Sequence, residues 1–179
     1  MEIEQTGLQD CLIIKPRVFE DPRGYFFESF NKDTFEKKTG MSGDFVQDNQ
    51  SFSSYGVIRG LHAQTGAFAQ AKLVRVTKGE VLDVAVDARP GSPTYGKHVS
   101  VRLSAENRLQ VYIPRGFVHG FSVLSETAEF LYKCDNFFNK ASETGVIYND
   151  VDLNIDWMIP EGKQSVSDKD LLLKPFAEL

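Results

Sequence analysis

The chain has 179 residues, which at about 150 residues per domain favours one compact domain over two. Hydrophobic residues make up 41% of the chain and charged residues 25%, so disordered, collagen-like and coiled-coil proteins are excluded. Twenty Lys and Arg against 25 Asp and Glu leave a net charge of −5, which argues against a nucleic-acid or membrane partner.

The chain opens with MEIEQTGLQD, which has no basic segment followed by an apolar one, and later apolar runs are only a few residues long. We therefore expect a cytoplasmic protein. Cys11 and Cys134 form no CxxC pair and are too few for a disulfide framework or a thiolate zinc site. They predict buried, reduced thiols that pack as small hydrophobes.

Short helices are predicted near both ends of the chain. The segment Asn31–Thr39 is typical of a helix with Asn31 or Asp33 at its N-cap and Gly40 after its last turn, and a second helix is predicted after Ser167. Strands predominate before residue 55, where they have no obvious partner of their own.

From about residue 70 to 135, apolar and polar residues alternate between turn residues, as in half-buried antiparallel strands. In one of these strands Leu82, Val84 and Val86 share a face. No helix separates the strands to make a parallel sheet. Residues 1–179 are therefore expected to form a single, mainly β domain: an antiparallel jelly-roll β-sandwich with short helices near its N- and C-terminal ends.

Several polar residues fall on the apolar faces of these strands, where an unpaired polar group is costly. They are Glu28, Gln47, Asn49, Lys72, His119 and Tyr132. Taken singly, Tyr132 and His119 are more often ordinary core residues, whereas an inward lysine rarely lies buried without a partner. Because several occur on neighbouring strands, together they predict a polar cavity.

A metal site is the alternative for this cavity. The segment Pro114–His119 has the P-x-G-x-x-H pattern of the second cupin motif, but the stretch Gly60–Gln64 lacks the H-x-H of the first motif. The chain has three histidines, and His98 shares its face with the polar Ser100 and Arg102. A three-histidine site is therefore disfavoured, and no metal is expected.

Seven motifs in chain order carry a family resemblance over about residues 10–170. They are Arg23–Ser29, Phe45–Asn49, Val57–His62, Lys72–Val76, Gly79–Asp87, Leu103–Asn107 and Gly116–Phe121. Together they resemble the dTDP-4-dehydrorhamnose 3,5-epimerase family. The resemblance implies a metal-free, cupin-like jelly roll that works as a homodimer without a cofactor. It also implies an isomerase that converts dTDP-4-dehydro-6-deoxy-D-glucose to dTDP-4-dehydro-L-rhamnose in dTDP-L-rhamnose biosynthesis.

The resemblance also implies roles for individual residues. His62 is similar to the family's proton-abstracting base, Tyr132 to its proton donor, Asp170 to the carboxylate that pairs with the histidine, and Lys72 to a cation beside the sugar. The positions that match substrate-binding residues are Arg23, Glu28, Gln47, Asn49, Arg59, Lys72, His119, Phe138, Glu143 and Lys169. Phe138 stands where the family has a tyrosine that stacks on thymine.

These residue types suit the inversion of a carbon beside a ketone. A weak carbon acid needs a base of near-neutral pKa and a cation that stabilises the enolate oxygen, here Lys72 with His119. Inversion needs a donor on the opposite ring face, and His62 and Tyr132 come from different strands. Arg59 and His62 are three residues apart, so a bulge at Gly60 is predicted to turn both inward.

Three alternatives remain open at this stage. Arg115 replaces the family's usual glutamate, Ala63 a usual aromatic residue and Phe138 the tyrosine, so an epimerase of only C3 or C5 on a related nucleotide deoxysugar is possible. A non-catalytic sugar-nucleotide-binding cupin and a metal-dependent cupin are the other two. Asp170 has a second interpretation as well, since Ser167-x-x-Asp170 resembles a capping box at a helix start.

Overall fold

The structure is a computed structural model that describes all 179 residues and confirms a mainly β protein. The strands are β1 (Glu2–Gln5), β2 (Leu12–Lys15), β3 (Phe19–Asp21), β4 (Gly24–Phe26), β5 (Gln47–Ser54), β6 (Val57–Gln64), β7 (Lys72–Lys78), β8 (Glu80–Asp87), β9 (His98–Ser104), β10 (Gln110–Ile113), β11 (Phe117–Val123), β12 (Thr127–Cys134), β13 (Glu143–Gly145) and β14 (Ser165–Val166). The helices are α1 (Lys32–Thr39) and α2 (Asp168–Leu171), with 3-10 turns at Gly66–Phe68, Lys140–Ser142 and Phe176–Glu178.

Two antiparallel sheets form the body of the protein. The first sheet has the order β1-β2-β10-β7-β12-β5, and the second has the order β13-β6-β11-β8-β9, with β14 added in parallel to β6. Between β7 and β12 the chain crosses repeatedly from one sheet to the other: β7, β10 and β12 lie in the first sheet, and β8, β9 and β11 lie in the second. The two sheets face each other as a sandwich. The predicted jelly-roll β-sandwich is confirmed.

The main core lies between the two sheets. Fifteen buried residues form it, among them Val74, Val111 and Phe130 from the first sheet and Val81 and Phe121 from the second. Burial of this apolar surface is the main force that holds the sheets together.

The second sheet is buried on its outer face too, which differs from the predicted half-buried pattern. Leu82, Val84 and Val86 of β8 point away from the inter-sheet core and pack with Trp157 and other residues of the C-terminal segment. The alternation rule missed this because it cannot foresee that a distant, irregular segment covers a sheet face. The same segment carries α2 to the edge of β6.

Helix α1 forms as predicted. The side chain of Asn31 accepts a hydrogen bond from the Thr34 N–H, and Gly40 ends the helix in the left-handed conformation. Phe35 is fully buried and packs on Tyr112, so the helix covers part of the outer face of the first sheet.

The strands before residue 55 mostly find partners within the chain, which corrects the expectation that they have none. β1 and β2 extend the first sheet beside β10, and β5 pairs with β12. Only β3 and β4 stay apart, as a two-stranded hairpin. No helix is long and apolar enough to cross a membrane.

Candidate active site

A cavity of about 320 Å³ opens at one end of the sandwich between the two sheets. The second sheet contributes Arg59, His62 and His119 to its lining, and the first sheet contributes Lys72 and Tyr132. An adjoining cavity of about 270 Å³ shares His62, Lys72 and Tyr132 and extends to Phe138. The polar residues predicted on apolar faces of separate strands, apart from Glu28, are therefore neighbours in space.

The predicted bulge at Gly60 is confirmed. β11 pairs His119 with His62 and Phe121 with Arg59, so three steps along β6 match two steps along β11. Gly60 has φ +121°, its peptide bond to Leu61 is cis, and a Cβ there would lie 2.7 Å from the Cα of Gly120. Only glycine fits this position, and the extra residue lets Arg59 and His62 line the same cavity.

His62 and Asp170 form the first of two histidine–carboxylate pairs. His62 Nε2 lies 2.7 Å from Asp170 Oδ1, and the Gly60 N–H donates to Asp170 Oδ2 at 3.2 Å. Burial raises the pKa of this carboxyl, but the hydrogen bonds from His62 and Gly60 outweigh burial and hold the pKa below its usual range. Asp170 is thus an ionised partner for His62.

The capping-box interpretation of Asp170 is only half right. The Ser167 side chain does cap α2, accepting the Asp170 N–H at 3.2 Å. The Asp170 carboxylate does not return to the backbone N–H of Ser167 and bonds to His62 instead. The cap therefore fixes the backbone of Asp170, while the Asp170 side chain lines the cavity and bonds to His62.

His119 and Asp83 form the second pair. His119 Nε2 lies 2.7 Å from Asp83 Oδ1, and both side chains are almost fully buried. Burial lowers the pKa of His119 despite the neighbouring carboxylate, and Lys72 and His62 lower it further. A neutral His119 that donates Nε2–H to Asp83 leaves Nδ1 as a hydrogen-bond acceptor.

Lys72 and Tyr132 lie on the sheet opposite the two histidines. Lys72 Nζ is 5.7 Å from the centre of the Tyr132 ring. Burial lowers the pKa of Lys72 and raises the pKa of Tyr132. Phe121 and Phe130 stack at 4.2 Å between their centroids and give the cavity an apolar wall.

The adjoining cavity holds most of the remaining predicted binding residues. Gln47, Asn49, Phe138 and Glu143 line it, together with Ala63. Lys169 lines the first cavity, and its Nζ pairs with Oε1 of Glu143 at 2.6 Å. Arg59 also lines the first cavity and donates from Nε to Ser53 Oγ at 3.1 Å.

Two predicted site residues are not brought to either cavity. Arg23 is about 90% exposed at the tip of the β3–β4 hairpin and pairs with Asp21. Glu28 is exposed after β4, where it accepts a hydrogen bond from Asn31. The expectation that Glu28 continues an inward strand face is wrong, because β4 ends at Phe26. Arg115, one of the residues that depart from the family pattern, pairs with Asp135 at 2.8 Å.

Sequence reasoning missed two further groups at the site. Asp83 lies on the core-facing side of β8 between Val81 and Ala85, so the alternation rule that identifies His119 as a polar residue on an apolar face applies to Asp83 too. Ser51 lines the first cavity and its Oγ is buried without a hydrogen-bond partner in the protein. A serine carries no comparable signal in the sequence, because it is common on both faces of strands.

Comparisons with known proteins were made over the whole chain. The family model for dTDP-4-dehydrorhamnose 3,5-epimerase matches residues 5–178. The Shigella flexneri dTDP-4-dehydrorhamnose 3,5-epimerase is 51% identical over 178 residues, 99% of this chain and 97% of that protein.

Two solved structures show the same fold over nearly the full length. The crystal structure of the Elizabethkingia anophelis dTDP-4-dehydrorhamnose 3,5-epimerase has a TM-score of 0.97 at 59% identity, covering 99% of this chain and 97% of that one. The Legionella pneumophila dTDP-6-deoxy-D-glucose-3,5-epimerase, solved with dTDP-4-keto-L-rhamnose, has a TM-score of 0.94 at 46% identity, covering 98% and 93%.

Proposed function

The chain belongs to the dTDP-4-dehydrorhamnose 3,5-epimerase family, and from that premise we propose how its residues divide the work of converting dTDP-4-dehydro-6-deoxy-D-glucose to dTDP-4-dehydro-L-rhamnose. One observation carries the proposal. A histidine–carboxylate pair on the second sheet and a tyrosine on the first sheet border the same cavity. A sugar ring between the sheets would have a base on one face and an acid on the other.

His62 is the base in this proposal. Its Nε2 is occupied by Asp170, so Nδ1 is the nitrogen that takes a proton from C3 or C5. The ionised Asp170 fixes this tautomer and stabilises the imidazolium that forms. The electron pair of the broken C–H bond moves into the enolate, whose negative charge develops on the oxygen at C4.

Lys72 stabilises that oxygen. Its ammonium lines the cavity and is desolvated by burial, and a desolvated charge acts more strongly on a developing oxyanion than a hydrated one. His119 is neutral and has Nε2 bound to Asp83, so its role is to accept a hydrogen bond from a sugar hydroxyl through Nδ1. This differs from the sequence-based expectation that His119 helps to stabilise the oxyanion.

Tyr132 completes the inversion. Its hydroxyl gives a proton to the carbanion from the face opposite His62, and its raised pKa keeps it protonated at neutral pH. The sugar must present C3 and then C5 to the same pair, and between the two inversions solvent takes the proton from His62 and returns one to Tyr132. Because only protons move, the proposed reaction requires no redox cofactor.

The nucleoside lies along the adjoining cavity. Phe138 is the stacking surface for thymine, with Gln47 and Asn49 beside it. Arg59 and Lys169 line the first cavity and suit the diphosphate, since arginine binds phosphate oxygens in bidentate fashion. Glu143, hydrogen-bonded to Lys169, orients that lysine.

Arg23 and Glu28 fit this scheme only in a homodimer. Both lie outside the cavities of their own chain, on or after a hairpin that pairs with neither sheet. In the hairpin, the exposed fractions of Phe19, Tyr25 and Phe26 are 52–68%. A monomeric protein rarely exposes several large apolar side chains side by side. We propose that a second copy covers this hairpin and that Arg23 and Glu28 contribute to the partner's site.

We further propose that the protein is a single domain and that it works in the cytoplasm. Residues 1–179 work as one domain, because residues of both sheets and of α2 are needed for the site. The two free, buried cysteines suit the reducing cytoplasm.

The test is NMR of dTDP-4-dehydro-6-deoxyglucose with the protein in D2O, with the L-rhamno product trapped by a reductase. Deuterium entering at both C3 and C5 is the expected result. Exchange at one carbon only would replace the proposal with a single-carbon epimerase. Binding without exchange, with wild-type protein, would overturn catalysis altogether. His62→Ala, checked by circular dichroism for an intact fold, should abolish exchange at both carbons.

A further inference from the structure

The segment Asn136–Asn139, which carries Phe138, is held in place by amide side chains from three separate parts of the chain. It follows β12 without regular secondary structure. Phe138 is about half exposed, so its own packing does little to fix the position of the ring. A flat ring makes a useful stacking surface only when it is fixed before the ligand arrives.

Gln70, in the loop before β7, holds the start of this segment. Its Nε2 donates to the carbonyl of Asn136 at 2.7 Å, and the side chain is almost fully buried. Asn136 in turn donates from Nδ2 to the carbonyl of Ala67 at 2.9 Å, so the segment and the loop before β7 are joined in both directions.

Gln64 and Gln47 hold the other end. Gln64, on β6 two residues after the proposed base, accepts the Asn139 N–H at 2.8 Å and is also buried. Gln47, on β5, accepts the Phe138 N–H at 3.2 Å. The N–H groups on both sides of the Phe138 side chain are thus bound by strands that also line the sugar cavity.

We propose that Gln64 and Gln70 are positioning residues for nucleobase recognition: they fix the Phe138 ring in the cavity that it shares with His62 and Tyr132. The inference rests on the proposed function, because it takes Phe138 as the surface for the base. The inference goes further because it assigns the affinity for the base to the buried amides of Gln64 and Gln70, although the base stacks on Phe138 and not on these amides. Losing either amide should free the ring and leave the catalytic groups in place.

The decisive experiment is a double-mutant cycle on the full-length protein, with dTDP as the probe and calorimetry as the readout. Gln70→Leu, which keeps the volume and removes the donor, should weaken dTDP binding roughly tenfold, the range of one lost hydrogen bond. Phe138→Ala should weaken it by about that much or more, since base–aromatic stacking is of similar size. In the Phe138→Ala background, Gln70→Leu should then have little further effect.

Additive losses in this cycle would overturn the proposal, and so would a Gln70→Leu variant that binds dTDP as the wild type does. Gln64→Leu provides the same cycle from the other anchor if Gln70→Leu does not fold. Phe137→Ala is the matched control, because Phe137 is equally exposed beside Phe138 but does not line the cavity. It should bind dTDP normally.

Two further readouts separate positioning from a general loss of structure. Binding of inorganic pyrophosphate, which has no base, should be unchanged in Gln70→Leu. In turnover, KM for the nucleotide sugar should rise roughly tenfold while kcat stays within about twofold. A fall in kcat without a rise in KM would contradict the assignment. Absence of deuterium exchange in the wild type would defeat the proposed function instead, and the dTDP cycle would still decide the role of the amides.

Discussion

His62 Nε2 lies 2.7 Å from Asp170 Oδ1, although 108 residues separate the two positions in the chain. The contact depends on the C-terminal segment, which runs along the outer face of the second sheet and places α2 against β6. Ser167 caps the start of α2, and the turn of helix that follows places the Asp170 carboxylate in the cavity. Asp170 therefore belongs both to a structural motif and to the proposed catalytic pair.

Asp170→Asn should lower kcat by about a hundredfold or more, because an amide cannot stabilise the imidazolium and can hold the wrong tautomer. Asp168→Asn, an exposed carboxylate in the same helix, is the control and should keep normal kcat. Steady-state kinetics of both variants check this. Equal kcat in Asp170→Asn and the wild type would show that the carboxylate is only structural.

The same pair makes a pH-dependent contribution to stability. The pKa of Asp170 is lower in the folded protein than its ordinary value of 3.8, so its stabilisation is fully present above about pH 4 and is lost as the pH falls through the lowered folded-state pKa. The difference in unfolding free energy between wild type and Asp170→Asn should therefore shrink below pH 4. Urea unfolding at pH 7 and at pH 3 measures it, and a difference that grew on acidification would contradict the assignment.

Tyr132→Phe should separate the two halves of the reaction. His62 can still remove a proton and return one to the same face, so deuterium from D2O should still enter at C3 or C5 while inversion falls by roughly 10²–10⁴-fold. Tyr112→Phe is the matched control, since Tyr112 is buried on the outer side of the same sheet against Phe35. NMR of the recovered sugar reports exchange and configuration together. Normal inversion in Tyr132→Phe would remove the tyrosine as the donor.

Lys72 should set the alkaline limit of activity. Its pKa lies below the ordinary lysine value of 10.5 because burial disfavours the ammonium, so Lys72 loses its proton at a lower pH than an exposed lysine does. We expect kcat of the wild type to fall with rising pH, with the midpoint of the fall below pH 10.5. In Lys72→Arg the fall should move to higher pH, because a guanidinium stays charged. Lys133→Arg, which alters a lysine on β12 that is paired with Asp48 of β5, should leave the profile unchanged.

Most of the fold and half of the site follow from the sequence pattern, for identifiable reasons. Alternation along the strands places Lys72, His119 and Tyr132 on inward faces because the side-chain period of a strand is two. The bulge at Gly60 follows from the same counting. Alternation cannot place Asp170, which reaches the cavity through irregular chain, nor can it show that Arg23 and Glu28 point away from their own site.

Mixed dimers test the placement of Arg23. Arg23→Ala and His62→Ala should each be inactive alone. If the hairpin of one subunit completes the site of its partner, random mixing of the two variants makes half of the molecules mixed dimers, each with one intact site, and restores about a quarter of wild-type activity. The proteins are co-refolded and assayed by deuterium exchange. Mixtures as inactive as the separate variants, with dimers confirmed by light scattering, would assign Arg23 to its own chain or to no site.

Asp83 was not predicted from the sequence, and the structure places its carboxylate 2.7 Å from Nε2 of His119. Replacing it with asparagine removes the charge that holds Nε2–H, so the imidazole can take either tautomer and its Nδ1 is no longer a reliable acceptor for a sugar hydroxyl. Asp83→Asn should lower kcat/KM by roughly ten- to a hundredfold, the range seen when a hydrogen-bond partner behind a functional histidine is lost.

The control for Asp83→Asn is a buried carboxylate with a purely structural task. Asp150 accepts the backbone N–H groups of Leu153 and Phe176 and lines neither cavity. Asp150→Asn should lower the melting temperature with kcat/KM close to normal in the molecules that remain folded. Imidazole 15N shifts of His119 should show a mixture of tautomers in Asp83→Asn and a single tautomer in Asp150→Asn. A single unchanged tautomer in Asp83→Asn would mean that another group orients His119, and the carboxylate would then be a buried packing element of β8.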